Sequence, residues 1–237
     1  MFKKLFSKQK TTNDKTARFN LIIDFAKSVI SETQVSKDGG FENGNHPIFD
    51  VIRLLGRNLQ TNYLTSLLIS KNETELPSLY PEVIFMDPRT MISDDITIES
   101  LLVEVNLTKK LQLGRDLVLP WPWKRRRLIN CITQIGEERK NGPWKQDYNH
   151  WVELWLPMGV AWVNSGNHSI STGIIQGQGQ INTSKAIDIS KLYDYIYSDG
   201  EYYYSFKNDE VISEVKNVDF AAIFEIGRLM KENDINF

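Results

Sequence analysis

The chain has 237 residues, with 28 basic and 30 acidic side chains and a formal net charge of −2. That length makes one or two domains, and 41% hydrophobic against 24% charged residues sets the chain apart from a disordered one. The small net charge argues against a DNA-coating protein, and the single cysteine, Cys131, excludes an intramolecular disulfide and a multi-cysteine zinc site.

The start, MFKKLFSKQK, is basic but lacks the apolar run of a signal peptide. The longest apolar stretch, Leu154–Val163, is broken by Pro157 and too short for a bilayer. A cytoplasmic protein without integral membrane association is expected. Phe19, Ile22, Ile23, Ala26, Val29 and Ile30 recur at helical spacing and predict a helix from about Lys15 to Thr33. Ser36–His46, rich in Gly and Asn, reads as a loop. Pro47 then suits the first turn of a second helix carrying Ile48, Val51, Ile52, Leu55 and Leu59, to about Leu68. The two helices are read as an N-terminal helical extension over residues 1–75, with an α+β domain over residues 76–237.

Past that boundary the pattern shortens. Val83–Met86 reads as a strand, and Leu101–Val105 fits strand or helix. Leu128, Cys131, Ile132 and Ile135 form one face of a helix ending near Gly136, where Cys131 acts as a small core residue rather than a nucleophile. Trp151–Leu156 and Val160–Ser165 flank Pro157-Met158-Gly159, which suits a type I turn in a hairpin. Tyr202–Phe206 and Val211–Val215 make a second hairpin around Asn208-Asp209. Asp219 is placed as the cap of a last helix carrying Phe220, Ile223, Phe224 and Met230. The fold class is α+β.

Charge is unevenly distributed. Residues 73–104 hold eight acids and one base, residues 107–127 seven bases and one acid, and residues 186–237 eleven acids and five bases. The neutral total thus conceals a compact basic segment, which marks a local anion site. All six tryptophans lie between Trp121 and Trp162, beside Lys124-Arg125-Arg126-Arg127. Indole faces stack on bases and guanidinium grips phosphate, although tryptophan also fills cores and interfaces. These arginines open the Leu128 helix at the end where positive charge opposes the helix dipole.

The sharper feature is Gly166-Asn167-His168-Ser169, between the strand Val160–Ser165 and a helix with Ile170, Gly173 and Ile174 on one face and Gly177 as its cap. A strand–glycine–helix junction gathers backbone N–H groups and the positive dipole end at one point. Asn167, His168, Ser169, Ser171 and Thr172 surround it with polar side chains, though His168 is equally readable as a structural histidine. Glu153 shares a strand face with Trp151 and Trp155, on the hairpin leading to His168. There a carboxylate would hold the imidazole or act as a base, or simply face solvent. His46, His150 and His168 are too scattered to propose a metal site, and Asp147 and His150 read as a surface loop.

The run Gly166–Gly177, with Pro122-Trp123-Lys124-Arg125 upstream, resembles the signature boxes of the ParB/sulfiredoxin-like superfamily. The pairing of LPWPW with GNHS is similar to an uncharacterised bacterial family. The resemblance covers roughly Leu117–Gly177 and does not reach residues 1–75. It implies a compact α+β domain with a small mixed sheet that binds a nucleotide or phosphate at the glycine turn. No cofactor is fixed by the sequence, and a nucleoside triphosphate with Mg²⁺ is the candidate that the resemblance brings. Gly166 would be the turn glycine, His168 the group aimed at phosphate, and Asn167, Ser169, Ser171 and Thr172 the surrounding contacts. The signature's last arginine is Ser169 here, and Arg125–Arg127 would supply the missing charge. The superfamily's reductases carry a cysteine where Asn167 stands, which disfavours sulfinic acid reduction. Its partition proteins need a helix-turn-helix domain, and the C-terminal hairpin and helix do not read as one.

Three functions stand side by side. One is a nucleotide- or phosphate-binding protein that hydrolyses its ligand or transfers phosphoryl, with His168 and Glu153 as catalytic residues. Another is a nuclease-like, nucleic-acid-processing protein. The last is a non-catalytic protein-interaction module, in which the tryptophans and N-terminal helices meet a partner or a second copy in a homo-oligomer.

Overall fold

The computed structural model describes residues 2–36, 44–77, 79–93 and 95–237. It opens with two long helices, α1 (Phe2–Ser36) and α2 (Ile48–Ile69). The apolar stripe expected between Lys15 and Thr33 is the inner face of α1, where Phe19, Ala26 and Ile30 are buried. Pro47 is the N-cap of α2, as its fixed φ favours. The loop expected over Ser36–His46 falls largely outside the described residues, as do the side chains of the basic start.

The strand expected at Val83–Met86 is instead a short helix, α3 (Pro81–Ile84), followed by a turn. Pro81 sits in the first helical turn, where its locked φ favours helix. A four-residue apolar run carries no period that distinguishes strand from helix. Ile84, Phe85 and Met86 are buried, although Val83 is exposed, and the Phe85 ring packs edge-on against Tyr203 and tilted against Phe220 and Phe224 at 5.0–5.9 Å. A small ladder follows, β1 (Met91–Ser93) with β2 (Ile96–Thr97), and then α4 (Ile98–Leu101), which resolves the ambiguity at Leu101 as a helix end leading to a strand.

The central sheet is built from β3 (Val103–Val105), β5 (Val118–Leu119), β6 (Trp151–Leu156), β7 (Val160–Ser165) and β9 (Lys185–Asp188), in the order β3-β9-β6-β7-β5. It is mixed: β6 and β7 form the expected hairpin, while β5 runs parallel to β7 and β9 parallel to β6. The hairpin turn is wider than the four-residue turn expected, because the Gly159 N–H donates to the Trp155 carbonyl at 3.0 Å. Between these strands lie α5 (Arg125–Gln134), which packs on α6 (Asn167–Gln176), and a two-stranded ladder of β4 (Lys110–Gln112) with β8 (Gln180–Asn182).

The remainder is the antiparallel sheet β10 (Ile196–Ser198), β11 (Tyr202–Ser205) and β12 (Val211–Glu214), and the last helix, α7 (Val218–Glu232). Asp219 is not its cap. Asn217, extended at φ −141° and ψ 121°, accepts from the Phe220 N–H at 2.9 Å, while Asp219 lies inside the first turn. The Asp219 carboxylate is buried and takes Arg18 Nη2 at 2.5 Å and Asn58 Nδ2 at 2.6 Å, so it ties α1 and α2 to α7. From Phe220 to Ile226 every side chain of α7 is buried, the pattern of a helix enclosed by its neighbours. The buried apolar residues of α1 and α2, Leu64 and Leu67 excepted, belong to the same hydrophobic core as those of the central sheet.

Candidate functional site

Parallel pairing of β5 with β7 sets Val118 beside Ala161 and Leu119 beside Trp162. Both strands therefore end at the same edge. The chain leaving β5 is Pro120-Trp121-Pro122-Trp123-Lys124, which enters α5, and the chain leaving β7 turns at Gly166 into α6. Sheet topology thus brings LPWPW and GNHS together.

Gly166 makes the turn at φ +85°, in the left-handed region that glycine adopts without cost. Any Cβ there would lie 2.3 Å from His150 Cδ2. From this turn Asn167 and His168 reach the facing segment. Asn167 Oδ1 accepts from the Trp121 N–H at 2.7 Å, and His168 Nε2 accepts from the Lys124 N–H at 3.2 Å. Trp121 returns the contact, with its indole N–H donating to the Val163 carbonyl at 2.9 Å. Both Asn167 and His168 are buried. An accepting Nε2 is unprotonated, so the ring proton of His168 belongs on Nδ1. Lys124 is the extended N-cap of α5, so His168 caps the helix that carries the basic run.

The other polar residues of the segment are also engaged internally. Ser171 Oγ donates to the Asn167 carbonyl at 2.7 Å and Thr172 Oγ1 to the His168 carbonyl at 3.1 Å, both fully buried. The Trp144 indole N–H donates to the Ser169 carbonyl at 2.8 Å and lies 3.1 Å from Ser169 Oγ. Glu153 sits opposite Trp162 in the sheet, and its Oε1 accepts from the Trp155 indole at 2.8 Å.

The basic run is disposed differently. Lys124, Arg125, Arg126 and Arg127 are all exposed, and no ion pair among the described residues includes them. Beside them Trp123 is 38% exposed. Its ring meets His168 edge-on at 5.0 Å and Trp121 at 5.5 Å, and Trp121 in turn meets Tyr80 at 5.5 Å. The edge therefore presents an aromatic surface flanked by four unpaired cations.

Of the supporting residues, His150 is misread from the sequence as a surface residue, and Gln60 and Tyr63 are not singled out there. His150 lies in a loop, as expected, but is buried beneath Gly166 rather than at the surface. It stacks on Trp144 at 5.0 Å, and Nδ1 accepts from the Asp147 N–H at 2.8 Å. Burial holds its pKa below the usual histidine value, against the opposing charge of Asp147. On α2, Gln60 Nε2 donates to the Val118 carbonyl at 2.6 Å and the Tyr63 hydroxyl to the Pro122 carbonyl at 3.3 Å. Burial pushes the Tyr63 pKa up to about 12. The available signal was two polar groups on an otherwise apolar helix face, since buried polar atoms require partners.

Among the described residues no three His, Cys, Asp or Glu side chains gather to hold a metal ion, and no helix is long and apolar enough to cross a membrane. Cys131 is half-buried on α5, and burial raises its thiol pKa, which opposes a nucleophilic role. A family model described as a family of unknown function, DUF6710, matches residues 3–237. The chain belongs to that family. No curated protein and no solved structure matches the chain. Within this DUF6710 chain the matched region contains both motifs and the helices that support them.

Proposed function

We propose that this DUF6710 chain binds a phosphate-bearing small molecule, such as a nucleotide, at the edge where β5 and β7 end. The observation that carries the reading is the exposed, unpaired run Lys124–Arg127 on the first turn of α5, contiguous with Trp123. Four adjacent cations at the positive end of a helix repel one another and the dipole, and an anionic ligand relieves both. Arg125 and Arg127 are the phosphate contacts and Trp123 the apolar face. The resemblance of Gly166–Gly177 to a nucleotide-binding signature supports the same edge.

In this reading the roles within GNHS shift from contact to positioning. Gly166 sets the turn, Asn167 holds Trp121, and His168 caps the helix that presents the arginines. Ser171 and Thr172 stabilise α6. The reading assigns binding, and no metal-dependent step is part of it.

Isothermal titration with ATP, CTP, GTP and inorganic phosphate tests it. The wild-type chain should bind at least one, and the Arg125→Ala/Arg127→Ala variant should bind about tenfold or more weakly, since a hydrogen bond to a charged group contributes about 1.5–3 kcal/mol. Absence of binding up to the order of 1 mM, or equal binding by the double variant, would refute it.

A further inference from the structure

On the face formed by α1 and α2, a groove of about 690 Å³ is lined by Leu21, Ile22, Phe25, Val51, Leu54 and Leu55. Its rims are apolar and exposed: Leu21 is 72%, Phe25 60% and Leu54 70% accessible. At one end Arg18 and Asn58 converge on Asp219, so the two helices run antiparallel, with Phe25 near Val51. Along α2 the outward positions Leu54, Asn58, Thr61, Thr65 and Leu68 follow a 4-3-4-3 spacing, and no residue from Asn58 to Ile69 is charged. Solvent-facing helix surfaces normally carry charge, and its depletion marks the centre of an interface.

We infer that this face docks a second copy of the chain in a two-fold arrangement. The argument is charge complementarity along α1. Its exposed stripe reads Arg18, Leu21, Phe25, Ser28, Glu32, again at alternating three- and four-residue spacing. Reversed about Phe25, that stripe complements itself: the half-exposed Arg18 guanidinium, which also holds Asp219 of its own chain, faces the partner's Glu32, Glu32 faces the partner's Arg18, Leu21 lies opposite the partner's Ser28, and the two Phe25 rings meet at the axis. Isologous packing requires such self-complementarity, and opposite charges at its edges fix the register. Phe25 of each copy then meets the other's across the two-fold axis, at the mouth of the groove that it lines.

The size is adequate. The described α1 side chains from Asp14 to Thr33 span about 30 Å at 1.5 Å per residue. With α2 about 10 Å away and each helix about 10 Å across, the pair is about 20 Å wide and presents a face of roughly 600 Å², the lower edge of what a stable interface buries on each partner.

Sedimentation velocity or light scattering should give twice the 27.4 kDa chain mass at concentrations on the order of 100 µM. Leu21→Glu/Leu54→Glu, at two exposed positions, should return the single-chain mass with an unchanged thermal melt. As a second measurement, Phe25→Cys should form an intermolecular disulfide on mild oxidation, whereas Asn20→Cys, exposed elsewhere on α1, should not. A wild-type monomer at the highest concentration, a dimer unaffected by the double substitution, or equal cross-linking at both positions would overturn the proposal. None of these variants touches the β5–β7 edge, so its failure leaves phosphate binding standing, and the converse.

Discussion

Replacing Gly166 by alanine tests whether the turn joining the two motifs is set by backbone conformation alone or also by His150. Two costs should add. A non-glycine residue at φ +85° costs about 1–2 kcal/mol. The new Cβ would also lie 2.3 Å from His150 Cδ2, 3.2 Å from His150 Cα and 3.3 Å from the Asn149 carbonyl. His150 has little room to retreat, because its ring stacks on Trp144 and its Nδ1 is held by the Asp147 N–H. Forcing an extra methyl into such packing costs about 1–3 kcal/mol, so the total is about 2–5 kcal/mol. In a chain of this size each kcal/mol moves Tm by about 2–4 °C, and a loss of roughly 10 °C is expected. The control is Gly142→Ala. That residue is also left-handed, at φ +68°, but nothing lies within 4 Å of its Cβ position. It should lose only the conformational part, about 2–4 °C for each kcal/mol. Differential scanning calorimetry on both variants decides. Equal losses would refute the steric argument and remove His150 from the account of the site.

Asn167→Ala should destabilise by about 1–3 kcal/mol, because it leaves the Trp121 N–H without its acceptor; Asn167→Asp keeps an acceptor and should lose less. Urea midpoints at constant m measure both, and an Asp variant as damaged as the Ala variant would discount the hydrogen bond. Burial lowers the pKa of both His46 and His150 in the folded chain. The unfolded chain then binds more protons at and below the ordinary histidine value of about 6.5, so stability should fall as pH drops through that value and level off above it. Glu225, raised by burial, acts in the opposite sense above its ordinary value, so the histidine part is read as the difference between wild type and a His46→Gln/His150→Gln variant. A pH slope that this variant leaves unchanged would contradict the assignment. Cys131, half-buried with its thiol pKa raised, should react with iodoacetamide well below the rate of the urea-unfolded chain at the same pH. Equal rates would show it to be exposed.

Local chemistry made much of the fold legible. The α6 segment was bounded in the sequence by two glycines, and both cap it in the left-handed conformation. Pro47, the paired apolar strands and the 3.6-residue stripe of α1 each state their own conformation within a few residues. The errors fell where local cues compete. Val83–Met86 is too short to show a period, so Pro81 decided it. Asn217 and Asp219 are both good caps, and the carboxylate was claimed by Arg18 and Asn58, which lie far away in sequence. The partners of the polar residues were similarly out of reach. Nothing near His168 predicts that its Nε2 meets the Lys124 N–H, because that pairing follows from β5 lying parallel to β7.

That long-range pairing changes what the polar residues of GNHS mean. A histidine and an asparagine at a helix start suggest ligand contacts when read alone. Placed against LPWPW, they satisfy backbone donors that proline-rich chain cannot pair with a sheet. Pro120 and Pro122 lack N–H groups, so the amides of Trp121 and Lys124 must find acceptors outside a regular ladder. Asn167 and His168 provide them. The basic run, by contrast, is exposed and has no ion-pair partner among the described residues. The two motifs therefore divide the work: GNHS fixes the edge, and the residues it fixes, Trp123 and Arg125–Arg127, are those left facing outward. Substitutions in GNHS should register first as lost stability and those in the arginines as lost binding, and a His168→Ala variant with wild-type stability but no phosphate binding would reverse that assignment.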